Sequence, residues 1–369
     1  VNLLRAAGYD VLSEYYVNDA GNQIDHLAES INARYLQLNG IDAEIPDDGY
    51  HGQDIVETAR HILERDGKKY LDMDEKERLE IFKEVGLKEK LAALKKDLHD
   101  FNVDFDNWFS EKSLYPDQVN AALKVLKDED NMYEKDGALW LRTTKNGDDK
   151  DRVVIRTNGV PTYFCSDIAY VGNKIRRGYN KLIDIWGADH HGYIERVRCV
   201  CDALGYPGKF EVLLGQLVNL LRNGKPVRMS KRKGTMVTLQ ELVDEVGSDA
   251  ARYTLISKSS NQMVDFDIEA VKKRDNSNPV YYVQYAHARV CSILRRAADV
   301  TAEQAAEMGM KAVAEKAIGE NVDYSLLTDP TELALSRKLN ELTDLIASCA
   351  RDRAPFRLTH FAEELAGDF

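Results

Sequence analysis

The chain has 369 residues, a formal net charge of −12 and a hydrophobic fraction of 44%. This length is too great for one ordinary hydrophobic core, so we expect two or three domains. No run of about 18 apolar residues occurs, so we expect no membrane span. The five cysteines show neither metal nor redox spacing. We therefore expect reduced thiols in a cytoplasmic protein and no structural metal.

The first 40 residues predict one step of a layered α/β fold. A helix that ends near Gly8 precedes a strand over residues 11–17, which is rich in Tyr and Val. A polar turn then leads into a helical period over residues 24–38. Strand, polar loop and helix in this order are typical of a doubly wound (Rossmann-like) sheet.

Charged helical patterns dominate from about residue 46 to residue 150. The predicted helices cover residues 74–85, 87–99 and 116–128. Two short β segments follow, at residues 138–144 and 153–156, with a hydrophilic turn between them. We interpret this stretch as an α+β segment inserted into the sheet rather than belonging to it.

Regular α/β spacing returns at Pro161. We predict helices over residues 163–177 and 194–204, a short strand over residues 182–186, and an apolar strand-like run over residues 210–221. Tyr163 and Asp167 lie four residues apart on the first of these helices and so share one face. A carboxylate in a cleft can bind a guanidinium through two hydrogen bonds, and a phenol can support it. The alternative is that Asp167 pairs with a neighbouring Lys or Arg or caps its helix.

The loop at residues 187–192 follows a predicted strand, and open α/β sheets bind ligands at the carboxyl ends of their strands. It contains Asp189, His190 and His191. These adjacent residues do not share a face, and no further soft ligand is near in sequence, so a zinc site is disfavoured. We predict nucleotide or substrate contacts here, with a purely structural turn as the alternative.

A basic loop follows the apolar run. Six basic residues and no acidic one lie between Arg222 and Lys233, within an acidic protein. Such a glycine-flanked loop predicts a movable clamp for phosphate, with Lys231 as its compact point charge and Ser230 beside it. A basic surface turn without a ligand is the alternative. A capping box at Thr238 and Glu241 then starts a helix.

Beyond residue 279 the sequence is essentially all helical, over residues 280–298, 301–318 and 330–350. We expect a helical bundle as the second domain. Tyr281, Tyr285 and Arg289 in its first helix could stack on unpaired bases. The alternative is that this aromatic stripe belongs to the core. Two basic clusters, at residues 174–181 and 272–274, are either local RNA-binding faces or solvated helix surfaces.

Six runs carry a resemblance to a known family: residues 14–23, 105–111, 147–152, 187–193, 229–231 and 278–289. Together they resemble arginyl-tRNA synthetase of the bacterial type, a class I aminoacyl-tRNA synthetase. The loop at residues 229–231 is similar to the lysine–serine loop of that class. It differs in having Arg228 for the first lysine and Arg232 for the final serine.

The resemblance implies a Rossmann-like catalytic domain over residues 1–275, with the insertion at about residues 46–150. It implies an all-α anticodon-binding domain over residues 276–369. The implied activity is ATP-dependent ligation of arginine to tRNA through arginyl-adenylate, with Mg²⁺ accompanying the nucleotide. The implied partners are arginine, ATP and tRNA, with no membrane, and we expect a monomer in the cytoplasm.

The resemblance also implies roles for single residues. Asp167 is expected on the arginine guanidinium beside Tyr163, and His190 lies where the family commonly has a pocket glutamine. Ser230 and Lys231 match the loop that handles pyrophosphate. The further contacts implied with ATP are those of Met229, Gly187, Asp189 and His191, and those implied with tRNA are Tyr281, Tyr285 and Arg289.

One family signature is missing from the chain. Two histidines around a glycine, which form the other half of the ATP site, belong upstream of Val1. The chain also begins and stops within helical patterns, so we expect a fragment, incomplete at both ends, that activates arginine poorly. The alternatives are a non-catalytic tRNA-binding or assembly fragment, or another class I aminoacyl-tRNA synthetase.

Overall fold

The computed structural model describes residues 1–227, 237–319 and 322–369. The chain forms two compact units. The helical unit comprises Val1–Val11, Val218–Val227 and Thr238–Phe369. The sheet unit contains Leu12–Leu217.

Helices account for most of the secondary structure in the described residues. The helices are α1 Asn2–Ala6, α2 Asn22–Leu38, α3 Gln53–Asp66, α4 Glu75–Asp100, α5 Asp117–Asp128, α6 Tyr163–Arg176, α7 Ile194–Ala203, α8 Leu239–Val246, α9 Ser248–Ile256, α10 Ile268–Val271, α11 Pro279–Ala297, α12 Ala302–Met308, α13 Met310–Ile318, α14 Pro330–Asn340, α15 Leu342–Asp352 and α16 Phe356–Asp368. The strands are β1 Glu14–Val17, β2 Asn107–Ser110, β3 Met132–Lys135, β4 Ala138–Leu141, β5 Arg152–Ile155, β6 Leu182–Gly187, β7 Phe210–Gly215, β8 Val218–Arg222, β9 Lys225–Pro226 and β10 Val264–Asp267.

Two parallel strand pairs and one antiparallel sheet form the β structure of the sheet unit. Strand β1 pairs with β2, and β6 pairs with β7, both in parallel. Strands β3, β4 and β5 form the antiparallel sheet. The main core lies among α5, α6 and α7, where Leu126, Ile168 and Val200 are fully buried. Helix α6 therefore has a fixed position at the centre of this unit.

An ion pair between half-buried Glu14 and exposed Arg177 joins α6 to β1. The Arg177 guanidinium donates through Nη1 to Glu14 Oε2 at 2.6 Å and through Nη2 to Oε1 at 2.8 Å. The Tyr170 hydroxyl donates to the same carboxylate at 2.5 Å. Burial alone would raise the pKa of Glu14, but these hydrogen bonds hold that pKa below its ordinary value. The bidentate geometry sets both the distance and the rotation of α6 relative to β1.

Helices α2, α3 and α4 form a separate core within the sheet unit. The rings of Tyr35, Tyr70 and Phe82 meet edge to face, with centroids 5.1–6.1 Å apart. Helix α3, which was not predicted, contributes Ile55 and Ile62 to this core. Their spacing of seven residues is the helical signal that the prediction overlooked.

The prediction of two helices between residues 74 and 99 is wrong, because α4 continues through Gly86 without a break. A Cβ atom on Gly86 would lie 2.4 Å from Ile31 Cδ1 on α2. The glycine is thus required by close helix packing, not by a chain break.

Strand β2 lies in the stretch predicted as an insertion, but it pairs with β1 and so belongs to that sheet. The single strand expected over residues 210–221 is two strands, β7 and β8, which belong to different units. The limits of the two domains and of the insertion remain predictions.

In the helical unit, β8 pairs in parallel with β10 and antiparallel with β9. The predicted capping box at Thr238 and Glu241 is confirmed at the start of α8. The helix expected over residues 301–318 is divided into α12 and α13 at Gly309, whose φ is +80°. The helix expected over residues 330–350 is divided at Glu341, and α16 was not predicted.

Among the described helices, none combines the length and apolar character needed to cross a membrane.

The close approach at Gly86 gives a test of the helix packing. An exposed helical Gly→Ala change would normally stabilise a protein by about 1 kcal/mol. At Gly86 we expect the opposite, a decrease of about 1–3 kcal/mol in the free energy of unfolding, because the methyl group overlaps Ile31. Denaturant unfolding measures this difference.

The matched control is Ala93→Gly on the exposed side of the same helix. This change should cost up to about 1 kcal/mol through helix propensity alone. If Gly86→Ala were instead more stable than the natural protein, the close approach of α2 and α4 would be refuted.

Candidate active site

The first turns of α6 present the predicted pair, Tyr163 and Asp167. Tyr163 begins the helix just after the N-cap residue Thr162, and its side chain is 77% exposed. Asp167 lies one turn later and is half-buried. The Tyr193 hydroxyl donates a hydrogen bond of 2.7 Å to Asp167 Oδ2. The two predicted residues therefore share one helix face, with Tyr163 at its solvent end.

A second carboxylate, Glu111, acts electrostatically on Asp167. Burial raises the pKa of Asp167 to about 6, the Tyr193 hydrogen bond opposes this rise, and the charge of Glu111 adds to it. Glu111 is only 8% exposed, and burial raises its pKa as well. The hydroxyls of Ser166 and Tyr16 offset part of the rise at Glu111. Two neighbouring carboxylates are thus held where ionisation is unfavourable without a cation.

The lysine whose charge acts on Asp167 is engaged elsewhere. The Lys174 ammonium donates to Asp184 Oδ1 at 2.6 Å. In the part of the chain that the structure describes, neither Asp167 nor Glu111 forms an ion pair with a lysine or arginine. The alternative in which Asp167 forms an ion pair with a neighbouring Lys or Arg is therefore not supported. The arrangement can accept a cation from outside the protein.

The loop after β6 lies at the carboxyl edge of a parallel pair, as predicted. It forms a short 3₁₀ helix over Ala188–Tyr193, with Asp189 and His190 exposed. Gly187 lies opposite Gly215 in the register of β6 and β7. A Cβ atom on Gly187 would lie 2.5 Å from Oδ1 of Asp189, an exposed side chain that can rotate away. Two glycines side by side leave the strand ends open to close approach by a ligand.

The histidines of this loop do not form a metal site with other described residues. His190 Nε2 lies 3.6 Å from Asp189 Oδ2, and His191 is exposed. Within the described ranges, no three His, Cys, Asp or Glu side chains are grouped so as to hold a metal ion.

The predicted RNA contacts lie on α11 in the helical unit. The rings of Tyr281 and Tyr285 are stacked, with centroids 6.2 Å apart and an angle of 13° between planes. The Arg289 guanidinium lies 5.9 Å from the Tyr285 ring centre. Tyr285 is 48% exposed and Arg289 is also exposed, so this stripe is not part of the core.

The predicted basic loop residues Met229, Ser230 and Lys231 lie outside the described residues. Of the two basic clusters, the first is largely neutralised by Glu14, Asp184 and Glu211. In the second cluster, Lys272 is paired with Glu245, whereas Lys273 and Arg274 are exposed. The prediction of a basic face therefore stays open for the second cluster.

Sequence reasoning did not identify Glu111, Tyr16 or Tyr193 as site residues. Glu111 comes to the site because β2 pairs with β1 and ends just before it. For Glu111, the sequence offered one signal: it lies in the run over residues 105–111, which carries part of the resemblance to the family.

The chain matches two known families. Residues 1–292 match the family of tRNA synthetases class I (R), catalytic domain, and residues 283–369 match the DALR anticodon binding domain. The arginine–tRNA ligase of Oceanobacillus iheyensis is 49% identical over 99% of this chain. The chain spans 64% of the length of that relative.

Two crystal structures have a similar fold. The first is titled as a putative arginyl-tRNA synthetase from Campylobacter jejuni and matches with a TM-score of 0.86 and 34% sequence identity. The match covers 100% of this chain and 78% of the Campylobacter chain. The arginyl-tRNA synthetase of Thermus thermophilus has a TM-score of 0.71 and 20% identity, covering 99% of this chain and 68% of that one.

The predicted fold class, a Rossmann-like class I catalytic domain followed by an all-helical domain, is confirmed by these matches. With a family match over residues 1–292, this chain belongs to the class I tRNA synthetases of the arginine (R) family.

Proposed function

We propose that this protein ligates arginine to tRNA with ATP, and that Asp167 and Glu111 select the arginine side chain. The arginine carboxylate attacks the α-phosphate of ATP, which forms arginyl-adenylate and releases pyrophosphate. A ribose hydroxyl at the tRNA terminus then attacks the arginyl carbonyl carbon, which releases AMP. The observation that carries the proposal is half-buried Asp167, which Tyr193 holds by a hydrogen bond near buried Glu111, with no cation paired to either carboxylate in the described residues.

A guanidinium suits this pocket better than an ammonium. It is planar, always charged, and presents several donors in fixed directions, so it can serve two carboxylates at once. Binding restores a counter-charge to Asp167 and Glu111 and lowers the pKa of both. Tyr193 keeps its proton, because burial and the charge of Asp167 raise its pKa, and so it continues to orient the Asp167 carboxylate. Exposed Tyr163 would cover the bound side chain from the solvent side.

For ATP, we assign the carboxyl edge of β6 and β7. The facing glycines Gly187 and Gly215 support this assignment, as do the exposed side chains of Asp189 and His191. His190 in the same loop is assigned to the arginine pocket. Mg²⁺ would arrive on the phosphate oxygens of the nucleotide, its usual ligands. We assign no protein ligand and no reaction step to the ion.

The basic loop supplies the charge that the first step needs. Negative charge grows on pyrophosphate as it departs, and a lysine can stabilise it there. We assign this role to Lys231, with Ser230 and Met229 as further ATP contacts. These three residues lie outside the described residues, so the sequence alone supports the assignment.

For tRNA, we assign the exposed stripe of Tyr281, Tyr285 and Arg289 on α11. Stacked rings with a guanidinium beside them are suited to unpaired bases. The match of residues 283–369 to an anticodon binding domain supports this assignment.

We further propose that the protein acts as a monomer in the cytoplasm. Its five cysteines are free thiols, in keeping with a reducing compartment.

Arginine affinity should depend on pH through Asp167. Because the pKa of Asp167 is about 6, its carboxylate is ionised at pH 7.5 and protonated at pH 5. We expect the affinity for arginine to be constant above pH 7 and to fall about tenfold per unit below pH 6. Calorimetric titration of the full-length protein between pH 5 and pH 8 measures this profile.

Citrulline and one matched variant serve as controls. Citrulline has the shape of arginine without its charge, so at pH 7.5 it should bind roughly tenfold to a hundredfold more weakly. Asp136→Asn, in the exposed turn between β3 and β4, should leave the profile unchanged. Equal binding of arginine and citrulline, or a flat profile in the natural protein, would exclude Asp167 as the guanidinium ligand.

Asp167→Asn should remove arginine binding and yet stabilise the free protein. The folded pKa of Asp167 lies above its unfolded value, so the folded state binds more protons between about pH 4 and pH 6. The natural protein therefore loses stability as the pH rises through this window, and the Asn variant does not. We expect the variant to be about 1–3 kcal/mol more stable at pH 7.5 and nearly equal at pH 4.

Thermal unfolding at the two pH values measures this difference. Asp136→Asn should show no comparable change between them. An Asp167→Asn variant that is less stable than the natural protein at pH 7.5 would indicate that Asp167 is a structural residue.

Lys231→Ala should lower the rate of arginine activation by roughly 10²–10³, the usual effect of removing one preorganised charge. Exchange of pyrophosphate into ATP, measured on the full-length protein with tRNA present, reports this step. Arginine affinity should be unchanged. An effect confined to arginine affinity would contradict the pyrophosphate role.

A further inference from the structure

The turn that follows β1 holds the backbone around Glu111, the second carboxylate of the proposed arginine site. Asp19 Oδ2 accepts a hydrogen bond of 2.5 Å from the Ser110 hydroxyl. Asp19 Oδ1 accepts a second one, of 2.9 Å, from the backbone N–H of Lys112. These donors belong to the residues immediately before and after Glu111. The Asp19 side chain therefore holds the chain on both sides of Glu111.

The hydrogen bonds of Asp19 continue the contact between two paired strands. The Asp19 backbone N–H donates to the carbonyl oxygen of Val17, the last residue of β1, at 3.0 Å. Val17 lies opposite Ser110, the last residue of β2, in the parallel register of the two strands. The position of Glu111 relative to β1 is thus set by the strand pair and by the Asp19 side chain just beyond it.

Asn18, in the same turn, contacts the Glu111 carboxylate itself. Its amide group lies 2.9 Å from Glu111 Oε2 and 3.1 Å from the Ala20 carbonyl oxygen. Both of these oxygens are acceptors, so only the amide nitrogen, with its two N–H groups, can satisfy both. Asn18 therefore donates one hydrogen bond to Glu111 and one to the backbone of its own turn.

The charge of Asp19 opposes the ionisation of Glu111. Burial raises the pKa of Glu111, and the negative charge of Asp19 adds to the rise. An uncharged residue at position 19 would therefore make it easier for Glu111 to hold its charge. What the Asp19 carboxylate provides in exchange is the pair of hydrogen bonds that fixes the backbone around Glu111.

We infer that Asn18 and Asp19 are positioning residues for the Glu111 carboxylate, and that they act on arginine affinity through it. The inference rests on the proposed binding of arginine between Asp167 and Glu111. A guanidinium presents its N–H groups in fixed directions, so it can bind two carboxylates at once only if both are correctly placed. A binding site of this kind tolerates displacements of about 0.5 Å.

The experiment measures arginine binding by calorimetric titration of the full-length protein. The variants are Asn18→Ala, Asp19→Ala and Asp19→Asn, together with Glu111→Gln and the double variant of Glu111→Gln and Asp19→Ala. Exchange of pyrophosphate into ATP, with tRNA present, gives kcat and the KM for arginine. The matched controls are two exposed residues of the same unit, Asn120→Ala on α5 and Asp42→Ala after α2.

We expect Asn18→Ala and Asp19→Ala each to weaken arginine binding by roughly tenfold, the effect of one lost hydrogen bond to a charged group. The KM for arginine should rise with little change in kcat, because the lost contacts act equally before and during the reaction. Asp19→Asn keeps one acceptor oxygen, so it should restore part of the affinity that Asp19→Ala loses. Both controls should bind arginine as the natural protein does.

The double variant separates positioning from a general structural role. If Asp19 acts through Glu111, then Asp19→Ala should cause no further loss of arginine affinity once Glu111→Gln has removed the carboxylate. If Asp19 only stabilises the fold, the two losses should add. Because Asn18 is exposed, Asn18→Ala tests the inference even if Asp19→Ala fails to fold.

The inference is overturned by additive losses in the double variant, or by unchanged arginine affinity in both Asn18→Ala and Asp19→Ala. It is also overturned if Glu111→Gln leaves arginine binding unchanged while Asp167→Asn removes it. In each of these cases arginine binding that depends on Asp167 leaves the proposed function standing. If neither Asp167→Asn nor Glu111→Gln alters arginine binding, the proposed function fails first and the inference fails with it.

Discussion

The proposed site of the sheet unit depends on two carboxylates, Asp167 and Glu111, which form no ion pair with a lysine or arginine of the described residues. Placing a carboxylate in a poorly solvated site without a cation is unfavourable, and both groups show this as a raised pKa. Elsewhere in the unit buried charge is compensated, as in the ion pairs of Glu14 with Arg177 and Lys174 with Asp184. These pairs hold α6 in place, so the unfavourable burial of Asp167 is not relieved by a shift of the helix. Among the described residues the two carboxylates therefore keep no cationic partner, and they remain complementary to a bound cation.

Helix α6 contributes to two regions of opposite charge. Asp167 accepts a hydrogen bond from Tyr193, while Tyr163 and Phe164 line a cavity that Arg152, Arg156 and Arg196 also line. Tyr193, at the end of the 3₁₀ turn after β6, contacts both sides through its hydroxyl and its ring.

Part of this site follows from local sequence, and part does not. The pair Tyr163 and Asp167 was found because a spacing of four residues places both on one face of a helix. The capping box at Thr238 was found for the same kind of reason, since its partners are three residues apart. Glu111 and Tyr16 lie far from Asp167 in sequence and meet it through the pairing of β1 with β2, which local patterns do not specify. Gly86 was misinterpreted as a break because the close approach of Ile31 is also a tertiary contact.

Clusters of basic residues in the sequence are a poor guide to the cations that lack a carboxylate partner. Lys174, Arg177 and Lys181 lie close together in the sequence, yet each is paired with a carboxylate. Arg156 and Arg196 are set apart from these clusters and lack such partners among the described residues. An acidic protein can therefore attract RNA locally when a few arginines are left without carboxylates, because short-range contacts outweigh a screened net charge. The free guanidinium groups, rather than the density of basic residues, determine where a phosphate can bind.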